Sequence, residues 1–322
     1  QFILSLLMNG RIKLASLWIL QNVLAEDMID FDKNIDNFYI YTFYNCLSIE
    51  NHGSFAENIR KSARSLDIIG TIILTPEGIN STIACNKASN LDKFILNLEK
   101  YFGKISVKRS ESLKKPFKRL KIKIRNEVVP SGTEVKVDTS LNNYIKPEEW
   151  NDFITDKSVI AIDVRNDYEI GVGTFAYSKS PNTKNFREFN NYIKDSKNNF
   201  KNKKIAIFCT GGIRCEKASA LFQANNVKNV YQLEGGIINY FDKAKSTDMW
   251  EGECFVFDDR VTVDRNLKAG NFKQCFACRR PLSNDDLKKP QYIEGISCHN
   301  CHLEKTDDDR KRFTERQKQK QK

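Results

Sequence analysis

Two groups of cysteines stand at spacings that imply chemistry. The first lies in residues 205 to 215, where the apolar run Ile205, Ala206, Ile207, Phe208 ends in Cys209, and Thr210, Gly211, Gly212 and Ile213 lead on to Arg214 and Cys215. The run reads as an interior parallel strand and Glu216 to Asn225 as the helix after it. Cys209 then stands at the carboxyl end of a strand, where open α/β sheets bind ligands. Gly211 and Gly212 can take positive φ and turn successive amides inward, while the helix presents its positive end to the same point. Both effects lower a thiol pKa, and the thiolate is the nucleophile. Arg214 adds a fixed cation able to hold an anionic sulfur donor or a phosphate bidentately. The competing reading is a core cysteine packed as a small hydrophobe. Cys215 is either a second thiol that resolves a persulfide or a buried helix residue, and Lys217 reads as a solvated helix residue.

The second group is Cys275-x2-Cys278, nineteen residues, then Cys298-x2-Cys301. Each C-x2-C turn can aim two thiolates at one ion, and two such turns close a tetrahedral zinc site with no open position. Such a metal is structural and stabilises a module too small for a core of its own. His299 and His302 adjoin the second pair and could replace a cysteine, and redox use of a C-x2-C pair is the competing idea. Nine cysteines, an odd number with four in these pairs, argue for metal and catalysis in a reducing cytoplasm and against a disulfide framework. No histidine occurs between His52 and His299, which excludes a Ser-His or Cys-His hydrolase around Cys209.

The elements that must position these groups suggest an α/β multidomain chain. Residues 37–140 read as a basic, ferredoxin-like βαββαβ domain: strands at Phe38 to Tyr44, Ile69 to Thr75, Asn80 to Ala84, Ile105 to Lys108 and Arg119 to Arg125, with helices at Ser54 to Leu66 and Leu91 to Tyr101. Within it, Lys114, Lys115, Lys118, Arg119, Lys121, Lys123 and Arg125 are seven cations in a stretch of twelve residues with no acid. From Arg119 the alternation is strict, so Arg119, Lys121, Lys123 and Arg125 share one face. A row of like charges repels itself unless a polyanion lies across it, and a phosphate backbone fits; the alternative is an edge strand guarded by lysines. Glu127 to Leu141, with Pro130, Ser131 and Gly132, reads as the connection into residues 141–248, a parallel-sheet domain. Asp163 and Arg165 after its first buried strand read as a structural turn and ion pair. Residues 249–302 would form the four-cysteine zinc module, and 303–322, almost all charged or Gln after His302, a disordered tail.

The 322 residues exceed one usual core, and 40% hydrophobic content suffices for packing. The net charge of +11 favours an anionic partner such as RNA, although abundant Lys and Asn can also reflect an AT-rich genome. The chain starts at Gln1, so residues 1–36 read as an extension of doubtful nativeness, with Met8 and Met28 as candidate starts. Leu14 to Ala25 is apolar, but its twelve residues cannot cross a bilayer as a helix. It imitates a signal peptide only imperfectly, because Gln21 and Asn22 interrupt it. No membrane association is expected, and no glycine fingerprint for a flavin or nicotinamide occurs.

The four residues between Cys209 and Arg214 make a tighter loop than the C-x5-R of cysteine phosphatases, which suits sulfur better than a phosphate ester. Here the sequence resembles the rhodanese family, whose loop cysteine carries sulfur as a persulfide. Ala161-Ile162-Asp163-Val164-Arg165-Asn166 with Tyr168-Glu169, and Leu233-Glu234-Gly235-Gly236-Ile237, extend the resemblance. More closely, CTGGIRCEKAS from Cys209, NFREF at 185 to 189, TPEGINSTI at 75 to 83 and CFVFDDR at 254 to 260 resemble the bacterial rhodanese-containing tRNA uridine hydroxylases, over about residues 37 to 302. That resemblance implies oxygen-dependent 5-hydroxylation of wobble uridine, with molecular oxygen as co-substrate and Cys209 essential. The basic strand and zinc module would hold the tRNA anticodon region. Two other readings stay open: a sulfurtransferase moving persulfide sulfur from thiosulfate or a donor protein to an acceptor thiol, and an RNA-binding scaffold.

Overall fold

In a computed structural model of the chain, residues 37–49 and 52–321 are described. The expectations for residues 1–36 lie outside them. From Phe38 onward the chain forms one compact unit.

The first layer begins with β1 (Phe38–Asn45), an aromatic and β-branched run that suits a pleated strand. It continues through α1 (His52–Ser65), β2 (Ile69–Thr75), β3 (Gly78–Cys85), α2 (Ala88–Phe102), β4 (Val107–Ser112) and β5 (Leu120–Ile124). The sheet order is β4-β1-β3-β2-β5, which is the expected ferredoxin-like arrangement with one strand added at an edge, parallel to β2. Both helices cover one face: Ala56, Ile59 and Ala63 of α1 and Leu91, Phe94 and Leu98 of α2 bury against Tyr41, Phe43, Ile72, Leu74, Ile79 and Ile83. The opposite face carries no helix. Because β4 and β5 are opposite edges, residues 113–119 must cross that face, and they do so by burying Phe117 on Ile40 and Ala84.

The second layer comprises β6 (Asn143–Ile145), α3 (Pro147–Thr155), β7 (Val159–Asp163), α4 (Asp167–Ile170), β8 (Gly173–Phe175), α5 (Phe189–Ser196), β9 (Lys204–Phe208), α6 (Ile213–Ala224), β10 (Val230–Leu233) and α7 (Gly236–Lys243). Its parallel sheet has the order β6-β10-β9-β7. Ile205 and Ile207 of β9 face a core with α5 and α6, while Ala206 and Phe208 face one with α3 and α7. This two-sided burial explains the continuous apolar run.

Then follow β11 (Trp250–Gly252), β12 (Cys254–Phe255), β13 (Thr262–Val263), β14 (Lys273–Gln274), β15 (Pro281–Leu282) and α8 (Asp307–Gln321). Two expectations change here. Residues 250–263 do not belong to the cysteine module: β11 pairs with β8, and Trp250, Cys254, Val256 and Val263 bury in the parallel-sheet domain. The segment after His302 is not a disordered tail but the helix α8. Three acids open it, where the helix dipole favours them, and pair at i,i+3 with Arg310, Lys311 and Arg312. Its buried Phe313, and Arg316 donating to the carbonyls of Phe276 and Gly295, dock it on the module.

Candidate active site

Cys209 leaves β9 at its carboxyl end and is fully buried. The Gly212 amide donates to its Sγ at 3.1 Å, and Gly212 adopts φ +101° as it starts α6. From below, the first amides of α7 hold the loop, with Ile237 N–H on the Cys209 carbonyl at 3.0 Å and Ile238 N–H on that of Thr210 at 3.1 Å. That contact requires Gly236, at φ +72°, because a Cβ there would lie 2.5 Å from the Cys209 carbonyl oxygen. Burial opposes ionisation of Cys209, but the Cys215 thiol, the Arg214 guanidinium and the Cys215 and Gly212 amides outweigh it and bring the pKa down to about 6. Burial and the neighbouring Cys209 charge push the Cys215 thiol well up. The pair therefore divides into a thiolate at Cys209 and a protonated thiol at Cys215 that donates to it.

Arg214 differs from its expected role. Its two terminal nitrogens bind Glu169 bidentately at 2.6 and 2.8 Å, and one also reaches Thr210 Oγ1 at 3.4 Å. Its fork is thus committed, and it acts as a fixed charge beside Cys209 instead of clamping an incoming anion. Glu169 is itself held in the capping box of α4 with Asn166. Asp163 and Arg165 form a buried bidentate pair with bonds of 2.6 and 2.9 Å, a structural arrangement.

The helix-free face of the first domain closes over the loop, which nothing in the local sequence announces. Thr42 and Tyr44 of β1 meet Gly211 and Gly212, and a Cβ on Gly212 would come 2.9 Å from the Tyr44 hydroxyl. Lys108 of β4 is buried with its ammonium 4.6 Å above the Tyr44 ring. Burial lowers its pKa to about 8 against the opposing pull of Cys209, Glu216 and Glu234. Glu216, buried on α6, accepts from Tyr44 and Asn142 at 2.7 Å, from Tyr144 at 3.1 Å and from Gln232 at 3.2 Å. Lys217 is not solvated: it is 1% exposed, binds Glu77 and lies 3.4 Å from Glu127. Glu77 also accepts the Val128 amide at 3.0 Å, so the Pro76-Glu77-Gly78 turn works as a latch as well as a hairpin. Lys108, Tyr44, Glu216 and Glu77 were missed as site residues. Two adjacent charges, Glu216 and Lys217, before the small and apolar run Ala218 to Phe222, and the TPEGINSTI motif that contains Glu77, were the available signals.

Of the basic residues, Lys121 and Lys123 lie in β5 at the opposite edge of that sheet, Arg119 and Arg125 flank it, and Lys114, Lys115 and Lys118 belong to the crossing segment. Lys114, Lys115, Lys118, Arg119, Lys121, Lys123 and Arg125 are all exposed. Lys121 and Lys123 are in register with Thr71 and Ile73, which puts them on the helix-free face with Thr82, Thr42 and Tyr44. Arg60 and Arg64 of α1 join Arg119, Lys121 and Lys123 around a surface groove of ≈ 330 Å³.

Cys275, Cys278, Cys298 and Cys301 converge with all four sulfurs within 4.8 Å of one another. The individual separations of 3.7 to 3.9 Å suit a tetrahedral ion, since bonds of about 2.3 Å to zinc imply sulfur edges of about 3.8 Å. These residues can hold a metal ion, and zinc fits. His299 is turned to Asp286, its Nδ1 3.5 Å from the carboxylate, and among the described residues only the cysteines make up the cluster.

Fold and loop define the class, a rhodanese-related enzyme in which a second domain covers the loop that begins at Cys209. Residues 38–128 match the UPF0176 acylphosphatase-like domain and residues 146–243 the rhodanese-like domain. That succession of an acylphosphatase-like and a rhodanese-like domain is the architecture of the UPF0176 (tRNA uridine hydroxylase) family. Among solved structures, the rhodanese-like domain of an Anabaena protein is similar at 12% identity, with 34% of this chain and 80% of that one covered and a TM-score of 0.28. A rhodanese-related protein of Thermoplasma volcanium matches at 23% identity over 31% of this chain and 91% of its own, TM-score 0.25. An acylphosphatase of Coxiella burnetii matches at 16% identity over 28% and 93%, TM-score 0.21. No helix among the described residues is long and apolar enough to cross a membrane.

Proposed function

We propose that this protein is a cytoplasmic tRNA-modifying enzyme that hydroxylates C5 of a wobble uridine with molecular oxygen, with Cys209 as its essential thiolate. The observation that carries this reading is the roof over the loop: the sheet face that encloses Cys209 through Thr42, Tyr44 and Lys108 also bears Lys121 and Lys123. A small sulfur donor needs the cradle but no second domain with a cationic face, whereas a polyanion uses both. Hydroxylation by dioxygen consumes two electrons and two protons beyond the substrate, the second oxygen atom leaving as water. Closure of the Cys209 thiolate and the Cys215 thiol to a disulfide releases the two electrons and one of the protons, solvent supplies the second proton, and a cellular thiol would then restore the pair. A zinc ion on the four cysteines would be structural, ordering a module whose Arg279 and Arg280 flank the RNA.

The low Cys209 pKa supports a second reading, sulfur transfer. There the thiolate attacks a sulfane sulfur, the donor leaves as sulfite or a thiolate, and the persulfide passes to an acceptor thiol. Nucleoside mass spectrometry of tRNA from cells lacking the gene separates the two. Loss of a 5-oxygenated uridine that wild type restores and Cys209→Ser does not is the expected result. Unchanged oxygenation with reduced thiolated nucleosides would replace hydroxylation by sulfur transfer.

A further inference from the structure

Phe257 is 62% exposed, while its neighbours Phe255 and Val256 are buried. The ring does not hang free. It packs edge-on against Phe255 at 5.1 Å, and the Arg214 guanidinium lies 5.9 Å from its centroid. Phe255 is tied to the loop, its carbonyl accepting from Thr210 Oγ1 at 3.4 Å, and is braced from the other side by Tyr168 at 5.4 Å. An apolar plane is thus fixed at the rim of the Cys209 loop.

The charge around it has the opposite character. Two residues on, the Asp259 amide donates to the Pro116 carbonyl at 2.9 Å, joining this segment to the basic crossing strand. Burial, with the Asp258 charge, holds the Asp259 carboxyl above its ordinary value against the opposing pull of Lys118 in the crossing segment, Lys121 of β5 and Arg279 of the first cysteine turn. Asp258 adds no free charge, since Arg260 binds it bidentately and continues to Ser110 Oγ at 3.0 Å. A fixed π-face joined to a basic segment two residues away is the pattern of single-stranded nucleic-acid sites, where bases stack and phosphates pair. A protein partner would be expected to bury a larger apolar patch than one ring.

We infer that Phe257 is the stacking platform for an unpaired base of the RNA, holding it at the mouth of the Cys209 loop. This rests on the tRNA reading and adds to it a recognition residue outside the loop. The test is fluorescence anisotropy of full-length protein with a labelled RNA hairpin whose loop contains uridine, beside a blunt RNA duplex. Phe257→Ala and Phe257→Leu should weaken hairpin binding by about five- to a hundredfold, Phe257→Trp should preserve it, and duplex binding should be unchanged. The pH profile of Cys209 alkylation checks that Arg214 has stayed in place, and the leucine variant serves where alanine disturbs it. Wild-type hairpin affinity in both variants would overturn the platform and leave the tRNA reading intact. A wild-type protein that binds neither RNA would overturn both.

Discussion

Cys209 and Cys215 lie six positions apart and shift in opposite directions, because the Cys215 thiol, Arg214 and the loop amides favour charge on Cys209, whereas burial and the Cys209 charge outweigh the pull of Arg214 on Cys215. A depressed pKa makes the thiolate the major form above about 6 and protonates it below. The iodoacetamide rate at Cys209 should therefore rise with an apparent pKa near 6 and level off by neutral pH, with roughly thirtyfold more thiolate at pH 7 than an ordinary thiol has. Arg214→Gln should move the midpoint upward, and Cys209→Ser should abolish the fast phase; a midpoint near that of free cysteine would contradict the thiolate assignment. The special character of Cys209 was legible from Gly211, Gly212 and the strand before them. The commitment of Arg214 to Glu169 was not, since those residues are forty-five positions apart.

Among the elements, α7 matters for its first turn. Gly236→Ala would drive a Cβ into the Cys209 carbonyl at a backbone angle that L-residues avoid. We expect a loss of about 1–3 kcal/mol of stability together with slow alkylation at pH 7. Gly53→Ala, with nothing within 4 Å of the added carbon, should leave both unchanged. The cysteine module depends on its ion in the same local way. Native mass spectrometry should find one metal ion per chain, and Cys298→Ser or a strong chelator should expose the amides of residues 273–302 to hydrogen exchange while Cys209 keeps its reactivity. Strand periodicity made β5 readable, and its edge position follows from the crossing segment that Phe117 anchors. The helix α8 was hidden because its sequence lacks an apolar stripe; its order comes from end charges and from Phe313 and Arg316 docking.

Across the molecule, the two domains are latched at α6, where Glu216 and Lys217 both reach the first domain. Lys217→Met should leave Glu77 and Glu127 without their cation. Each keeps some solvent, at 26% and 31% exposure, so the expected cost is about 1–2 kcal/mol, read as a lower unfolding midpoint. Unchanged stability would mean that the latch contributes nothing to domain closure. For RNA, the logarithm of affinity against that of salt concentration should be steep, and Lys121→Gln or Lys123→Gln should each flatten the slope by about 0.7. Slopes equal to wild type would remove these lysines from the phosphate path.

The local features that specify chemistry are written in contiguous residues: the loop from Cys209 to Cys215, the paired C-x2-C turns, and the alternation that gathers Arg119 to Arg125 on one face. Each depends on backbone geometry within a few positions, so spacing suffices to read it. The enclosure of Cys209 has a different origin. Tyr44, Lys108 and Glu216 meet because β1, β4 and α6 are brought together by long-range packing, and Lys217 becomes buried only when Glu77 arrives from another domain. Burial and ion pairing between such distant segments are set by the assembled fold, and no periodicity within a single segment encodes them.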